Sequence, residues 1–360
     1  MTAPVEPDRR DALVERLFGA TIGTLELFGV YIGDRLGLYA ELAGADALDP
    51  DGLARRAGIA PRYAQEWLEQ QAVAGILDVE DGGNGERRYR LPAGHAAVLV
   101  DPESDFYLAP FASLLAGIGR VLPDVVDAYR TGDGVPFSSY GADLRDGQAA
   151  MNRPAFTHGM SSWVATMPDV DARLKSEPSG RVADVGCGVG WSTLALARAF
   201  PHATVEGIDL DEASIADARR NAAEAGLADA VSFQVRDAAD PATKGAYDLA
   251  CMFEALHDTP RPAEVLGALR EMLREGGSVL LADERVADSF TAPGDELERM
   301  MYGWSITHCL PAAMVDQPAD PTGTVLREPT VRELAGRAGF ESVEVLPVEN
   351  DFFRFYRLRR

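Results

Sequence analysis

The sequence predicts an α/β protein: a doubly wound, mostly parallel sheet with an antiparallel C-terminal strand, preceded by an α-rich winged-helix domain. Three observations carry this. From residue 181 onward, strand-like and helix-like segments alternate, the pattern of a parallel sheet covered on both faces. A glycine-rich strand-to-helix turn opens that half. Residues 48–94 read helix, turn, helix, strand, turn, strand, the order of a winged helix-turn-helix. At 360 residues, 46% of them hydrophobic, the chain can bury more than one core. The expected division is an N-terminal helical and winged-helix domain over 1–100, a helical connector over 101–178 and a ligand-binding α/β domain over 179–360.

Composition narrows the function classes. The net charge of −23 opposes a large nucleic-acid footprint or an anionic membrane surface, both of which attract clustered Lys and Arg. There is no apolar run of membrane length, and the start, MTAPVEPDRRD, is polar, so a soluble cytoplasmic protein is expected. Cys187, Cys251 and Cys309 are far apart with no CxxC pair, which argues against a disulfide framework or a zinc site, and no metal is expected.

Residues 1–10 read as a flexible tail. Between 11 and 42 apolar residues recur at helical spacing, giving two helices with a break near 33–37. That is more apolar surface than one hairpin covers, so a partner is expected there. The winged segment is a poor DNA reader. Residues 51–100 hold six Lys/Arg against seven Asp/Glu, and its second helix carries Glu66 and Glu69 beside Arg62. Dimerisation is the expected use, and Arg87, Arg88 and Arg90 form a solvated wing.

The connector reads as helices over 106–121, 123–130 and 148–164, broken at Pro123. Phe156, His158, Met160 and Trp163 stand just before the glycine turn and are candidates to line a substrate pocket, or to pack between domains. Strands follow at 182–184, 204–210, 231–235, 247–253 and 278–283. Helices fall at 191–200, 212–225, 262–274, 296–310 and 330–338, and a terminal hairpin at 341–348 and 352–358.

The turn after the first of these strands is Asp184-Val185-Gly186-Cys187-Gly188-Val189-Gly190. No Lys follows Gly190, which removes a phosphate loop. The glycines alternate instead of reading G-x-G-x-x-G, and Asp184 stands where a pyrophosphate would be repelled. A polar or cationic ligand fits better. Ligands of open parallel sheets bind beyond the carboxyl ends of the strands. The second strand ends in Asp209-Leu210, suited to a ribose and an adenine face. The third ends in Asp237-Ala238, suited to an adenine amino group. The fourth ends in Phe253-Glu254.

The turn resembles motif I of the class I S-adenosylmethionine-dependent methyltransferases, and the four strand ends carry the matching groups in order. The resemblance covers nearly the whole chain. The winged helix, connector and α/β domain together look like small-molecule O-methyltransferases and their uncharacterised bacterial relatives. It implies a Rossmann-like methyltransferase domain, S-adenosylmethionine as donor and S-adenosylhomocysteine as product. It also implies a small-molecule acceptor and a homodimer through the N-terminal helices. Cofactor contacts fall on Asp184, Gly186, Cys187, Gly188, Gly190, Asp209, Leu210, Asp237, Ala238 and Phe253.

A hydroxyl acceptor needs its proton removed, and His is the usual base. In the resembling enzymes a His-Asp pair after the fourth strand supplies it, which His257-Asp258 matches, with Thr259-Pro260 where a Trp usually follows. Glu254 can orient the donor or the acceptor. Met301, Trp304 and His308 are further candidates for the substrate pocket. Carbon or nitrogen methylation, other chemistry on the same fold, NAD binding and a ligand-sensing regulator stay open.

Overall fold

The computed structural model describes residues 7–83, 85–178, 180–240 and 244–360. Most of the expected tail (residues 1–6) and Asn84 of the wing turn lie outside these; residues 7–10 are helical, not tail. The chain divides into two compact units: residues up to 116 together with 146–154, and residues 117–145 together with 155–360.

The first unit begins with α1 (Pro7–Arg35), α2 (Leu38–Ala43), α3 (Pro50–Ala57) and α4 (Pro61–Val73). Gly37 breaks α1 from α2 with φ 66°, a left-handed conformation that glycine adopts freely. Asp49 caps α3, accepting from the Gly52 amide at 2.6 Å. The wing is an antiparallel pair, β1 (Asp78–Gly83) and β2 (Glu86–Arg90), followed by α5 (Ala93–Leu99). Tyr39, Leu42, Leu53, Leu68 and Tyr89 fill the core, and the Trp67 indole donates to the Gly29 carbonyl at 2.9 Å. α1 leaves Leu13, Leu17, Phe18 and Leu25 more than half exposed.

α6 (Pro110–Thr131) and α7 (Gly141–Ala165) supply residues to both units. The expected break at Pro123 is absent. Ile118, Val121, Val125 and Ala128 continue one buried stripe across it, and that packing outweighs a local cost of ~3 kcal/mol. A 3₁₀ turn spans Phe137–Tyr140.

The second unit continues with α8 (Pro168–Leu174), β3 (Arg181–Val185), α9 (Trp191–Ala199), β4 (Thr204–Asp209), α10 (Glu212–Glu224), β5 (Val231–Val235) and β6 (Tyr247–Phe253). Then come α11 (Pro262–Met272), β7 (Leu273–Glu284), α12 (Glu296–Trp304), α13 (Leu310–Ala313), α14 (Glu328–Arg337), β8 (Ser342–Val345) and β9 (Phe353–Arg359). The seven-stranded sheet has the order β5-β4-β3-β6-β7-β9-β8. Its first five strands are parallel, and β9 runs antiparallel to both β7 and β8. The pleat sends alternate residues to two cores. Val182, Cys251, Leu280 and Phe355 face one; Ala183, Met252, Leu281 and Tyr356 face the other. The helix expected over 296–310 is interrupted by a π turn at Ser305–Cys309.

Candidate active site

β3 lies between β4 and β6, so the chain reverses its direction of sheet growth there. That is the switch point where an open α/β sheet has a crevice at its carboxyl edge. The glycine turn sits at this point. Gly186, Gly188 and Gly190 have φ of 72°, 52° and 88°, which side chains rarely adopt. A Cβ at Gly186 would lie 2.6 Å from the Ala255 Cβ, so this turn touches the loop after β6. A Cβ at Gly188 would meet nothing within 4 Å, so the middle of the turn is open to a ligand.

The amides of Gly186 and Cys187 donate to the Ile208 carbonyl, and the Gly188 amide donates to Asp209 Oδ2 at 2.8 Å. Asp209 Oδ1 accepts from the Asp211 amide at 2.9 Å. Asp209 thus ties the turn to the end of β4, and each oxygen keeps a lone pair for a ligand donor. Burial raises its carboxyl above the usual range. Leu210 beside it is 65% exposed. The Arg236 amide donates to the Asp209 carbonyl, bringing the end of β5 alongside. Asp237 there is exposed and accepts from the Ala239 amide at 2.8 Å, with Ala238 half-buried.

Asp184 departs from expectation. It does not face the turn as an open acid but is fully buried, accepting from Ser192 Oγ and Thr193 Oγ1 at 2.6 Å each. It fastens the end of β3 to the start of α9. Burial pushes its carboxyl up to about 6, and Oδ1 has no partner. The buried Cys187 thiol is pushed well above its ordinary value by burial, so it is no nucleophile.

His257 follows β6 in a 3₁₀ turn, Leu256–Asp258. It is 2% exposed. Its Nδ1 lies 2.8 Å from Asp283 Oδ1 and 3.2 Å from Glu284 Oε2, and Nε2 lies 3.3 Å from Asp258 Oδ1. The sequence pairs His257 with its neighbour Asp258, but the aligned hydrogen bond goes to Asp283, on β7. β6 and β7 are adjacent and parallel, so their ends meet. Burial alone would lower the imidazole's pKa; the carboxylates of Asp283, Glu284 and Asp258 outweigh it and hold it well above the ordinary value. Burial likewise pushes Asp283 up, and the facing imidazolium more than offsets that. Burial, with Asp283 beside it, raises the Glu284 carboxyl well above its ordinary value. Glu254, half-buried, has φ 49°, the only left-handed non-glycine among the described residues, and its amide donates to the Ala282 carbonyl at 2.9 Å. Strain of this kind concentrates at functional sites.

A family model described as a methyltransferase domain matches residues 176–319, across this crevice, and one described as an Rv2258c-like winged HTH domain matches residues 24–101. The chain carries a methyltransferase domain behind an N-terminal winged-helix domain. It is 28% identical over 268 residues to the 3-hydroxy-5-methyl-1-naphthoate 3-O-methyltransferase of Streptomyces sahachiroi, spanning 72% of this chain and 74% of that one. It is 30% identical over 142 residues to the trans-aconitate 2-methyltransferase of Deinococcus radiodurans, 38% of this chain and 52% of that one. The fold matches human N-acetylserotonin methyltransferase, solved in complex with SAM, with a TM-score of 0.71 at 19% identity over 100% and 99% of the two chains. It also matches the mitomycin 7-O-methyltransferase MmcR, with a TM-score of 0.66 at 19% identity over 98% and 99%.

Elsewhere the methyltransferase redistributes the expected residues. Phe253 does not line the crevice. It is buried against Phe156 and Trp163, at ring distances of 5.6 and 6.1 Å, and Trp163 stacks on Phe355 at 4.7 Å. Phe156, Met160 and Trp163 are therefore core, since their apolar surface is consumed against the sheet. His158 is exposed. Met301 is buried and Trp304 half-buried on α12, and His308 is buried on the π turn. Among the described residues two trios, His257–Asp258–Cys309 and His257–Asp283–Glu284, bring donor atoms within 4.8 Å and could hold a metal ion. Asp283, Glu284 and Cys309 were not foreseen. The signal for the first two was the end of the fifth strand, which carries two acids beside the end of the fourth.

Proposed function

We propose that this methyltransferase moves the methyl group of S-adenosylmethionine to a hydroxyl oxygen of a small aromatic acceptor, with His257 as general base. The observation that carries this is the contact between the glycine turn and the His257 loop at Gly186 and Ala255. One crevice then holds a nucleoside-suited edge and a buried imidazole. The residues fit the cofactor: an open Gly188 backbone, Asp209 with free lone pairs, exposed Leu210, and a buried Asp184 Oδ1 without a partner. When bound, the sulfonium supplies an already activated methyl group. Asp283 holds Nδ1, which leaves Nε2 to take the acceptor's hydroxyl proton. Alignment does most of the rest.

The exposed apolar residues of α1 support a homodimer through the N-terminal helices. Three buried free cysteines fit a reducing cytoplasm, and among the described residues no helix is long and apolar enough to cross a membrane. A DNA regulator is disfavoured: Arg87 pairs with Glu69, Arg90 with Asp78 and Glu80, and Arg62 with Glu66.

The test is a pH–rate profile with phenolic acceptors. His257 is a base only when deprotonated, and its pKa is raised, so kcat/KM rises with pH through a limb lying above the range of an ordinary histidine. Asp283→Asn removes the strongest raising charge. That limb shifts to lower pH, and the plateau rate falls as the ring loses its orientation. A limb that stays put in the variant contradicts the assignment.

A further inference from the structure

His308 sits on the π turn, where one extra residue re-aims the side chains of a helix, a distortion frequent at functional sites. Its ring is fixed edge-on to Tyr140, with centroids 4.7 Å apart, and lies 5.8 Å from Phe137. The Tyr140 hydroxyl in turn donates to the Thr307 carbonyl at 3.0 Å, so the clamp closes on the π turn itself. Nδ1 is 3.4 Å from Cys309 Sγ. That sulfur lies within 4.8 Å of a His257 ring nitrogen and of an Asp258 oxygen. The Cys309 thiol therefore lies close to both imidazoles. The His308 Nε2 is buried and has no partner, although its ring is held on three sides. A buried polar atom so placed is costly unless something hydrogen-bonds to it.

We propose that His308 is the second hydrogen-bonding group of the acceptor site, its Nε2 binding an oxygen adjacent to the one that is methylated. This rests on the methyl-transfer reading above. The acceptor class is thereby narrowed to aromatics bearing two neighbouring oxygens. The two histidines divide the work by environment. Three carboxylates surround His257 and favour its charged form. Burial lowers the His308 pKa, against the pull of Asp258 and with the push of the His257 charge.

The experiment compares 2,3-dihydroxynaphthalene with 2-naphthol as acceptors for wild type, His308→Phe and His308→Gln. Binding of S-adenosylhomocysteine is measured on each to confirm an intact fold. Wild type is expected to favour the diol about tenfold in kcat/KM, carried mainly by KM, the effect of one added hydrogen bond. The ratio collapses toward one in His308→Phe, which keeps the aromatic clamp, and is partly retained in His308→Gln. No preference in wild type, methylation of neither naphthol by protein that binds the cofactor, or a ratio unchanged in both variants overturns the role of His308. Failure of wild type to bind S-adenosylmethionine overturns instead the reading on which it rests.

Discussion

His257→Ala is expected to lower kcat by roughly 10²–10⁴-fold, the range general bases contribute, while S-adenosylhomocysteine still binds. The acceptor hydroxyl then has no positioned imidazole to receive its proton. The substitution has a second effect. It leaves two buried carboxyls without the imidazolium they face, and an orphaned buried charge costs about 3–5 kcal/mol. His257→Gln separates the two effects, because its amide can still donate to Asp283 but cannot take a proton. Thermal melts alongside turnover are expected to show Gln recovering much of the stability and little of the rate. Turnover in the Gln variant near the wild-type level would exclude His257 as the base.

Gly186→Val is expected to weaken cofactor binding by about 10- to 100-fold and to slow turnover in the same variant. The residue has φ 72°, and the Cβ alone would approach the Ala255 Cβ to 2.6 Å. Left-handed strain and overpacking each cost about 1–3 kcal/mol, and a β-branched residue suffers both. To make room, the turn must move from β4 or the 255–258 loop must move from β7. The first movement breaks the Gly188–Asp209 bond and the second the His257–Asp283 bond. Calorimetric affinity and kcat measured on one preparation check this. Both unchanged would mean that the turn and the base loop are independent.

How much of this was legible in the sequence differs along the chain. The parallel strands and glycine turn were, because hydrophobic strands bounded by glycine have few alternatives. Asp209 and Asp237 were placed correctly at strand ends, since the strand order of a doubly wound sheet puts those ends together. What failed required knowledge of side-chain direction or of long-range neighbours. Phe253 alternates inward along β6 and joins the core with Phe156 and Trp163. Asp184 is answered by Ser192 and Thr193 from the next helix, which spacing does not reveal. Asp283 reaches His257 only because β6 and β7 are paired, a tertiary fact. The π turn adds one residue to a helical pattern that otherwise looks regular, so His308 was named as a candidate without any way to see its aim.

The central claim, that the crevice at the glycine turn binds S-adenosylmethionine, is tested most directly by calorimetric titration of the wild type and of Asp209→Ala with S-adenosylmethionine and S-adenosylhomocysteine. Asp209 links the Gly188 amide to the end of β4 and offers the lone pairs a ribose would use. Saturable one-site binding of both ligands by the wild type, lost in the variant while its melting transition remains cooperative, is the predicted result. No binding of either ligand by the wild type, or undiminished binding in the variant, would contradict it.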